Sequence, residues 1–324
     1  NWTSAVRLEN GLAPRFNDSP ADAAPPLDEV IAFAHAYLQR RMVKEDDCMP
    51  FSGTRRCLLR AAAADREAPP IATPATAPLP AVVIDLPATG WTLLRPGHGW
   101  ELAFKCGVPC PSHLPPHVHS DQLSLELSHQ GNWLFSEAGT SIYEIGPERA
   151  YERSGAAHNV LQLGVLSPSG QIHWIEPVEV WGGFRAGRKA QPRQRKCSEL
   201  ANDGCFAAGS HDGFDRLGVT HLRQVALTDP QDKMINLNVQ DTVTTRLPLH
   251  FRQWWHLAPS INQELLHSLR LEAPTAEHLE TSWHTTWFAK GFGQRIPRKS
   301  YCLSGALSAG EHHVHTLFPI SLST

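Results

Sequence analysis

No run of apolar residues in this 324-residue chain is long enough to span a bilayer, and no charged leader with an apolar stretch behind it opens the chain. It begins at Asn1 without an initiator methionine, so it is expected to be a piece of a longer protein. A formal net charge of −3 provides no basic excess for a nucleic-acid partner. The seven cysteines contain no Cys-x-x-Cys pair. Cys197 and Cys205 are near enough in sequence to bridge in an oxidising compartment, and buried free thiols are the other reading. No repeat of fixed period appears. A mass of 35.8 kDa is enough for a sizeable core in one large β unit or two smaller domains.

Helix patterns are few. Pro25 and Pro26 precede Leu27, Val30, Ile31, Ala34 and Leu38, spaced as one helical face with Asp28 and Glu29 in its first turn. A second short helix is predicted from Thr54 to Arg66, where alanine is abundant. The stretch APPIATPATAPLP (68–80) has five prolines and no charge, which suits an extended linker and places the domain boundary there. Beyond it, AVVIDLP, WTLLR, WELAFKC and later segments as far as HHVHTLFPI are short, rich in β-formers and punctuated by glycine and proline. That texture predicts an antiparallel β-sandwich over residues 81–324, preceded by a helical remnant at 1–67.

Chemistry concentrates between Pro115 and Asn159. In an extended segment His117 and His119 share one face, as two imidazoles serving one site must. Leu123, Leu125 and Leu127 alternate with Ser124, Glu126 and Ser128, which predicts a strand whose polar face is open to a cleft. Residues 129–132 have turn chemistry, so Trp133, Leu134 and Phe135 should complete a hairpin ending at Glu137. A third strand from His158 into Val160, Leu161 and Leu163 would bring His158 near that hairpin. A His-x-His pair proves little by itself. About one is expected by chance at this histidine content, and the second pair, His313 and His315, reads as surface or strand histidines.

The surroundings of the first pair are more specific. HSDQLSLELSHQG, LFSEAGTSIY, RAYERSGAAHN and VWGGFRAGRKA resemble, in order and spacing, the C-terminal β domain of the heparinase II/III-like polysaccharide lyases. The resemblance covers about residues 90–320, and PRFNDSP is similar to the end of the helical toroid that precedes this domain in the family. It implies one zinc ion held by His119, Glu137 and His158, with His117 facing an acidic polysaccharide, and a periplasmic or secreted protein. The family's acidic ligand is usually Asp in Val-Asp-Pro-Gly-Thr. Here it is Glu137 in Ser-Glu-Ala-Gly-Thr, a longer side chain from which a remodelled or an empty site is expected, with Asp121 as an alternative ligand.

The reaction the resemblance implies is β-elimination in a uronic-acid polymer. It removes the proton at C5, expels the oxygen at C4 and builds charge on the carboxylate, so it needs a base, an acid and a neutralising cation. His117, Tyr143 and Arg153 are the candidate catalytic residues. Arg149, Arg185 and Arg188 are the candidate substrate-binding residues, the last two in a basic stretch without acidic residues between Trp181 and Ser198 that reads otherwise as a solvated strand face. Arg149 and Arg153 can equally pair with Glu148 or Glu152, and Tyr143 and Tyr151 can simply pack. Two rival readings are a non-catalytic saccharide-binding or structural β domain, and a cupin-like metal enzyme built on His117, His119, Glu126 and Gly131. In the second the glutamate spacing fits poorly and no second cupin motif follows. The family's principal tyrosine comes from the toroid, so the fragment alone is expected to be incomplete.

Overall fold

The computed structural model describes residues 2–19, 27, 30, 31, 81–110, 115–182 and 184–322. The predicted helix at 54–66, the linker at 68–80 and the boundary drawn there lie outside the described residues. Of the helix predicted from Leu27 to Leu38, Leu27, Val30 and Ile31 are described, and all three are helical.

The chain opens with α1 (Trp2–Val6). The strands then follow as β1 (Val82–Leu86), β2 (Trp91–Gly97), β3 (Trp100–Lys105), β4 (Leu125–His129) and β5 (Asn132–Phe135). After α2 (Pro147–Arg153) come β6 (Leu161–Leu166), β7 (Ile172–Ile175), β8 (Val178–Trp181), β9 (Arg185–Lys189), β10 (Pro192–Glu199), β11 (Cys205–His211), β12 (Thr220–Thr228) and β13 (Met234–Thr245). The last are β14 (Leu249–His256), β15 (Arg270–Glu272), β16 (Glu277–Gly291), β17 (Gln294–Leu307) and β18 (Gly310–Ser321).

All the pairings are antiparallel, as expected for a β-sandwich. One layer is the six-stranded sheet β10-β11-β12-β13-β18-β15, and the other consists of β1-β2-β3-β4-β5 and β16-β17-β14-β6-β7. These last two sheets meet where Phe135 bridges Leu257, and where Ser136 N–H and Ala258 N–H donate to His256 O and Leu134 O. The hairpin predicted at 129–132 forms with Gln130 (φ 47°) and Gly131 (φ 74°) both left-handed. A Cβ on Gly131 would come within 3.1 Å of the Asn10 backbone nitrogen, so glycine is needed there.

Strand β13 shows how the two halves share one layer. Its inward residues Ile235, Leu237 and Val239 pack with Leu102, Phe104, Leu125, Phe135 and Phe318 of the first core, whereas Val243 packs with Leu163, Phe251, Leu303 and Val314 of the second. Asp241 falls between them on the same face. It is fully buried and takes both ends of the Arg223 guanidinium at 2.7 and 2.8 Å, His221 Nε2 at 2.6 Å and Gln253 Nε2 at 2.8 Å. Arg223 Nη1 goes on to donate to Leu123 O at 3.0 Å and Asn159 O at 2.6 Å, which ties this seam to the loops above it.

Two sequence expectations change here. The polar face of β4 is closed, because residues 9–19 run across it. Backbone amides of Glu9, Arg15 and Asn17 donate to the carboxylates of Glu101, Glu126 and Asp121, and β4 is buried along its whole length. The possible Cys197–Cys205 bridge does not form. All five cysteines among the described residues are free thiols.

Removing Asp241 would strand a buried guanidinium. Asp241→Ala should therefore lower the stability by about 3–5 kcal/mol, read as a shift in denaturant midpoint. Replacing Asp241 and Arg223 together by leucine and methionine should recover only part of the loss, because His221, Gln253, Leu123 O and Asn159 O then lose their partners.

Candidate functional site

The site lies over the junction of the two sheets, where ladder pairing lapses and loops cross. Residues 115–121, 136–141 and 155–159 converge there with α2. Pro115–His117 is one turn of 3₁₀ helix, so the two histidines do not stand side by side on a strand. They meet instead at a third residue, Asp18.

Asp18 belongs to the PRFNDSP segment, and its side chain is 1% exposed. It receives Arg149 Nη1 at 2.5 Å and Nη2 at 2.8 Å, His119 Nε2 at 2.7 Å, Thr140 Oγ1 at 2.9 Å and His117 Nδ1 at 3.0 Å. Burial opposes its ionisation, but the hydrogen bonds and charge from His119 and Arg149 hold the carboxyl far below the usual carboxylate range. Burial takes His119 down to about 4 despite Asp18, so that imidazole is neutral at pH 7. With its proton on Nε2 for Asp18, the buried Nδ1 has a bare lone pair and no partner.

Next to it, Glu137 accepts from Ser124 Oγ and lies against His158 Nδ1 in a very short contact. Burial opposes charge on His158, yet the Glu137 carboxylate raises its pKa overall. His158 Nε2 is also buried without a partner, and the His119 and His158 rings are 5.3 Å apart. Among the described residues no three His, Cys, Asp or Glu side chains stand as an assembled metal site. Asp121, the substitute ligand, is held instead by Lys105 Nζ at 2.5 Å. Burial and the nearby Glu137 push Glu126 up to about 7.

The backbone around this pair is fastened from below on both sides. Arg298, buried on β17, donates to Ser136 O at 2.6 Å, Glu137 O at 3.1 Å and Ala157 O at 3.2 Å, while Arg223 holds Asn159 O. His158 therefore sits between two guanidinium-bound carbonyls.

The helix arginines do not pair with Glu148 or Glu152. Arg149 is spent on Asp18, and Arg153 donates to Val118 O at 2.9 Å and Gly182 O at 3.0 Å. Both are buried. Glu152 instead accepts Ser141 N–H and its hydroxyl, and Tyr151 packs on Trp287 at 4.4 Å. Arg188 reaches Glu179 and Gly213 O, and Arg193 and Arg195 reach Asp215 and Asp85, so acids distant in sequence neutralise much of the basic stretch. Arg185 is exposed on β9. His313 and His315 lie on β18, the first exposed and the second half-buried. Outward from Asp18, the His117 side chain is 45% exposed and lies 6.1 Å from the ring of Tyr143, which packs among Phe184, Phe292 and the Arg149 guanidinium. Burial and the Asp18 charge raise the Tyr143 phenol.

Sequence reasoning passed over Asp18, Thr140, Arg223 and Arg298. Asp18 was within view as the acid of PRFNDSP, but its partners lie 99 or more positions away.

The model of the heparinase II/III-like C-terminal domain matches residues 79–314. Among solved structures, the heparan sulfate lyase HepC from Pedobacter heparinus superposes with a TM-score of 0.61 at 14% identity, covering 99% of this chain and 46% of that one. A heparinase III structure gives 0.59 at 15% identity, covering 98% and 47%. The chain thus spans about half the length of these proteins, and at such identities the likeness is one of fold. A search of curated protein sequences gives no match.

If Asp18 and Arg149 sustain one another, Asp18→Ala and Arg149→Ala should each cost about 3–5 kcal/mol, and the double variant little more than either. A double-mutant cycle by denaturant unfolding measures this, and additive losses would contradict the pairing.

Proposed function

The chain belongs to the heparinase II/III-like C-terminal domain family, and from that premise we propose that it is the β domain of a polysaccharide lyase that cuts a uronic-acid-containing polysaccharide by β-elimination. The observation that supports this best is the half-exposed His117, whose Nδ1 is bonded to the buried Asp18 carboxylate. With the proton on Nδ1, the Nε2 lone pair is left to face a substrate, the arrangement a proton-transferring histidine needs. Tyr143 beside it keeps its phenol proton at neutral pH, which suits an acid for the leaving oxygen. Arg149 acts through Asp18 in this reading. It fixes the carboxylate that orients His117, while Arg153 braces the same loop. Arg185, exposed on β9, is left to meet substrate charge, with Arg188 reaching it only by giving up Glu179.

Zinc is part of the proposal. His119 and His158 each hold one ring nitrogen against a carboxylate and the other buried without a partner, the pattern of metal-ligating imidazoles with their orienting acids. These two residues with Glu137 would hold the ion, which would replace the proton on His158 and cross-link loops distant in sequence. Glu137 would have to exchange its contact with His158 for the metal. Purified protein should then contain about one zinc per chain, read by elemental analysis, and chelation should lower its melting temperature. No zinc and no recovery on adding it would remove the ion from the proposal.

The site of action proposed is the periplasm or the cell exterior. Because the chain spans about half of the lyases it resembles, a non-catalytic saccharide-binding role is the second reading. The ultraviolet absorbance of an unsaturated uronide product separates the two. The longer protein should generate it and this chain alone should not. In that protein His117→Ala should cut turnover roughly a hundredfold or more while leaving zinc content and melting temperature nearly unchanged, whereas His119→Ala should lower both.

A further inference from the structure

Trp181 is the least explained residue near the site. It ends β8 with 55% of its surface exposed, although a large indole normally finds cover. Its seat is built. On the paired strand β9, a Cβ placed on Gly187 would come within 2.6 Å of Trp181 Cζ2 and 3.0 Å of Cε2, so the ring lies close over bare backbone that only glycine provides. The hairpin thus presents a supported indole to solvent.

That indole borders a cleft of about 550 Å³ between α2 and strands β7 and β8, a size usual for small-ligand sites. Trp174 lines it as well, with Arg252 stacked on its ring at 3.7 Å. Its polar wall carries Ser154, His173 and Glu176 and, toward solvent, the half-exposed Glu179, whose Oε1 lies 3.6 Å from Arg216 Nη1 and 3.4 Å from Arg188 Nη2. The other two arginines on the wall, Arg149 and Arg153, have committed their guanidiniums to Asp18 and to backbone carbonyls.

We propose that this cleft is a saccharide subsite separate from His117, in which a pyranose residue stacks on Trp181 and two adjacent hydroxyls bridge Glu179 and Arg216. A pyranose has an apolar C–H face that suits an indole. Its neighbouring hydroxyls can donate to a carboxylate and accept from a guanidinium in the same plane. A wall whose cation is already paired suits hydroxyls better than a free carboxylate, so binding should depend only weakly on salt. The inference rests on the polysaccharide reading above and specifies where the chain grips a sugar away from the reacting one.

The test is calorimetric titration of this 324-residue chain with two probes, a glucuronic acid–N-acetylglucosamine tetrasaccharide and a neutral glucose tetrasaccharide. At least one should bind saturably, with affinity changing less than threefold between low and high salt. Trp181→Ala should weaken it tenfold or more, Trp181→Phe should keep most of it, and Gly187→Val, whose side chain meets both the indole and Glu179 Oε2, should weaken it at least as much as the alanine variant. Binding of neither probe, or equal binding by wild type and Trp181→Ala, would overturn the subsite. Uronide release by the longer protein with Trp181-independent binding sinks the subsite and spares the lyase proposal. Trp181-dependent binding without uronide release supports the subsite and discards the lyase proposal.

Discussion

A buried carboxylate survives only where enough donors replace its lost water, and Asp18 is the point on which the site face depends. Five hydrogen bonds from four side chains meet on its two oxygens. Each donor belongs to a different piece of chain or a different turn: the 3₁₀ turn of His117, the extended segment of His119, the loop of Thr140 and the helix of Arg149. None of these pieces pairs with another in a sheet, so a shared anion does what ladder hydrogen bonds do elsewhere. The anion itself arrives on the N-terminal segment, whose amides also satisfy Glu101, Glu126 and Asp121. That segment is therefore an integral part of the β unit.

The seam beneath explains why such loops sit here. One layer is a single sheet, whereas the opposite layer is two sheets joined through Phe135 and Leu257, and at the joint the apolar row of β13 is interrupted by Asp241. A charge at that place would be costly alone. Matched by Arg223, it lets the guanidinium reach through to Leu123 O and Asn159 O, and Arg298 does the same from β17 to Ser136 O and Ala157 O. Buried arginines here act as brackets that fix irregular backbone, because each fork supplies several N–H donors in a rigid plane. Glu137 and His158 inherit their positions from those brackets.

What the sequence made legible follows from range. Alternation and turn chemistry are local, so the β4–β5 hairpin could be read from residues 123–135, whereas the antiparallel class needed the texture of residues 81–324. The meeting of His158 with Glu137 came from the family resemblance, since the strand after His158 starts at Leu161 and pairs with β14 and β7 and not with the hairpin. The closed face of β4 could not, because Ser124, Glu126 and Ser128 look solvent-facing until a segment more than a hundred positions upstream lies across them. The partner of Arg149 failed for the same reason. Glu148 and Glu152 are its sequence neighbours, and the burial that makes a pairing strong comes from Asp18, 131 positions away. The counter-charges of the basic stretch from 185 to 196 were hidden for the same reason, since Asp85, Glu179 and Asp215 all lie outside it.

His117 and His119 show how little chemistry has to differ for two residues to take different roles. Both are imidazoles, two positions apart, bonded to the same carboxylate at 3.0 and 2.7 Å. Solvent distinguishes them. The His117 side chain is 45% exposed and the His119 side chain is wholly buried. An exposed imidazole can exchange its proton with whatever occupies the surface beside it. A buried one cannot, and its desolvation takes it down to about 4, where the free nitrogen is a permanent lone pair. The 3₁₀ turn at Pro115–His117 creates the difference, since it swings the first ring outward toward Tyr143 while Val118 and His119 turn back into the protein. A strand would have left both histidines equally placed, and Asp18 would then have had no reason to serve one as an orienting acid and the other as a buried anchor.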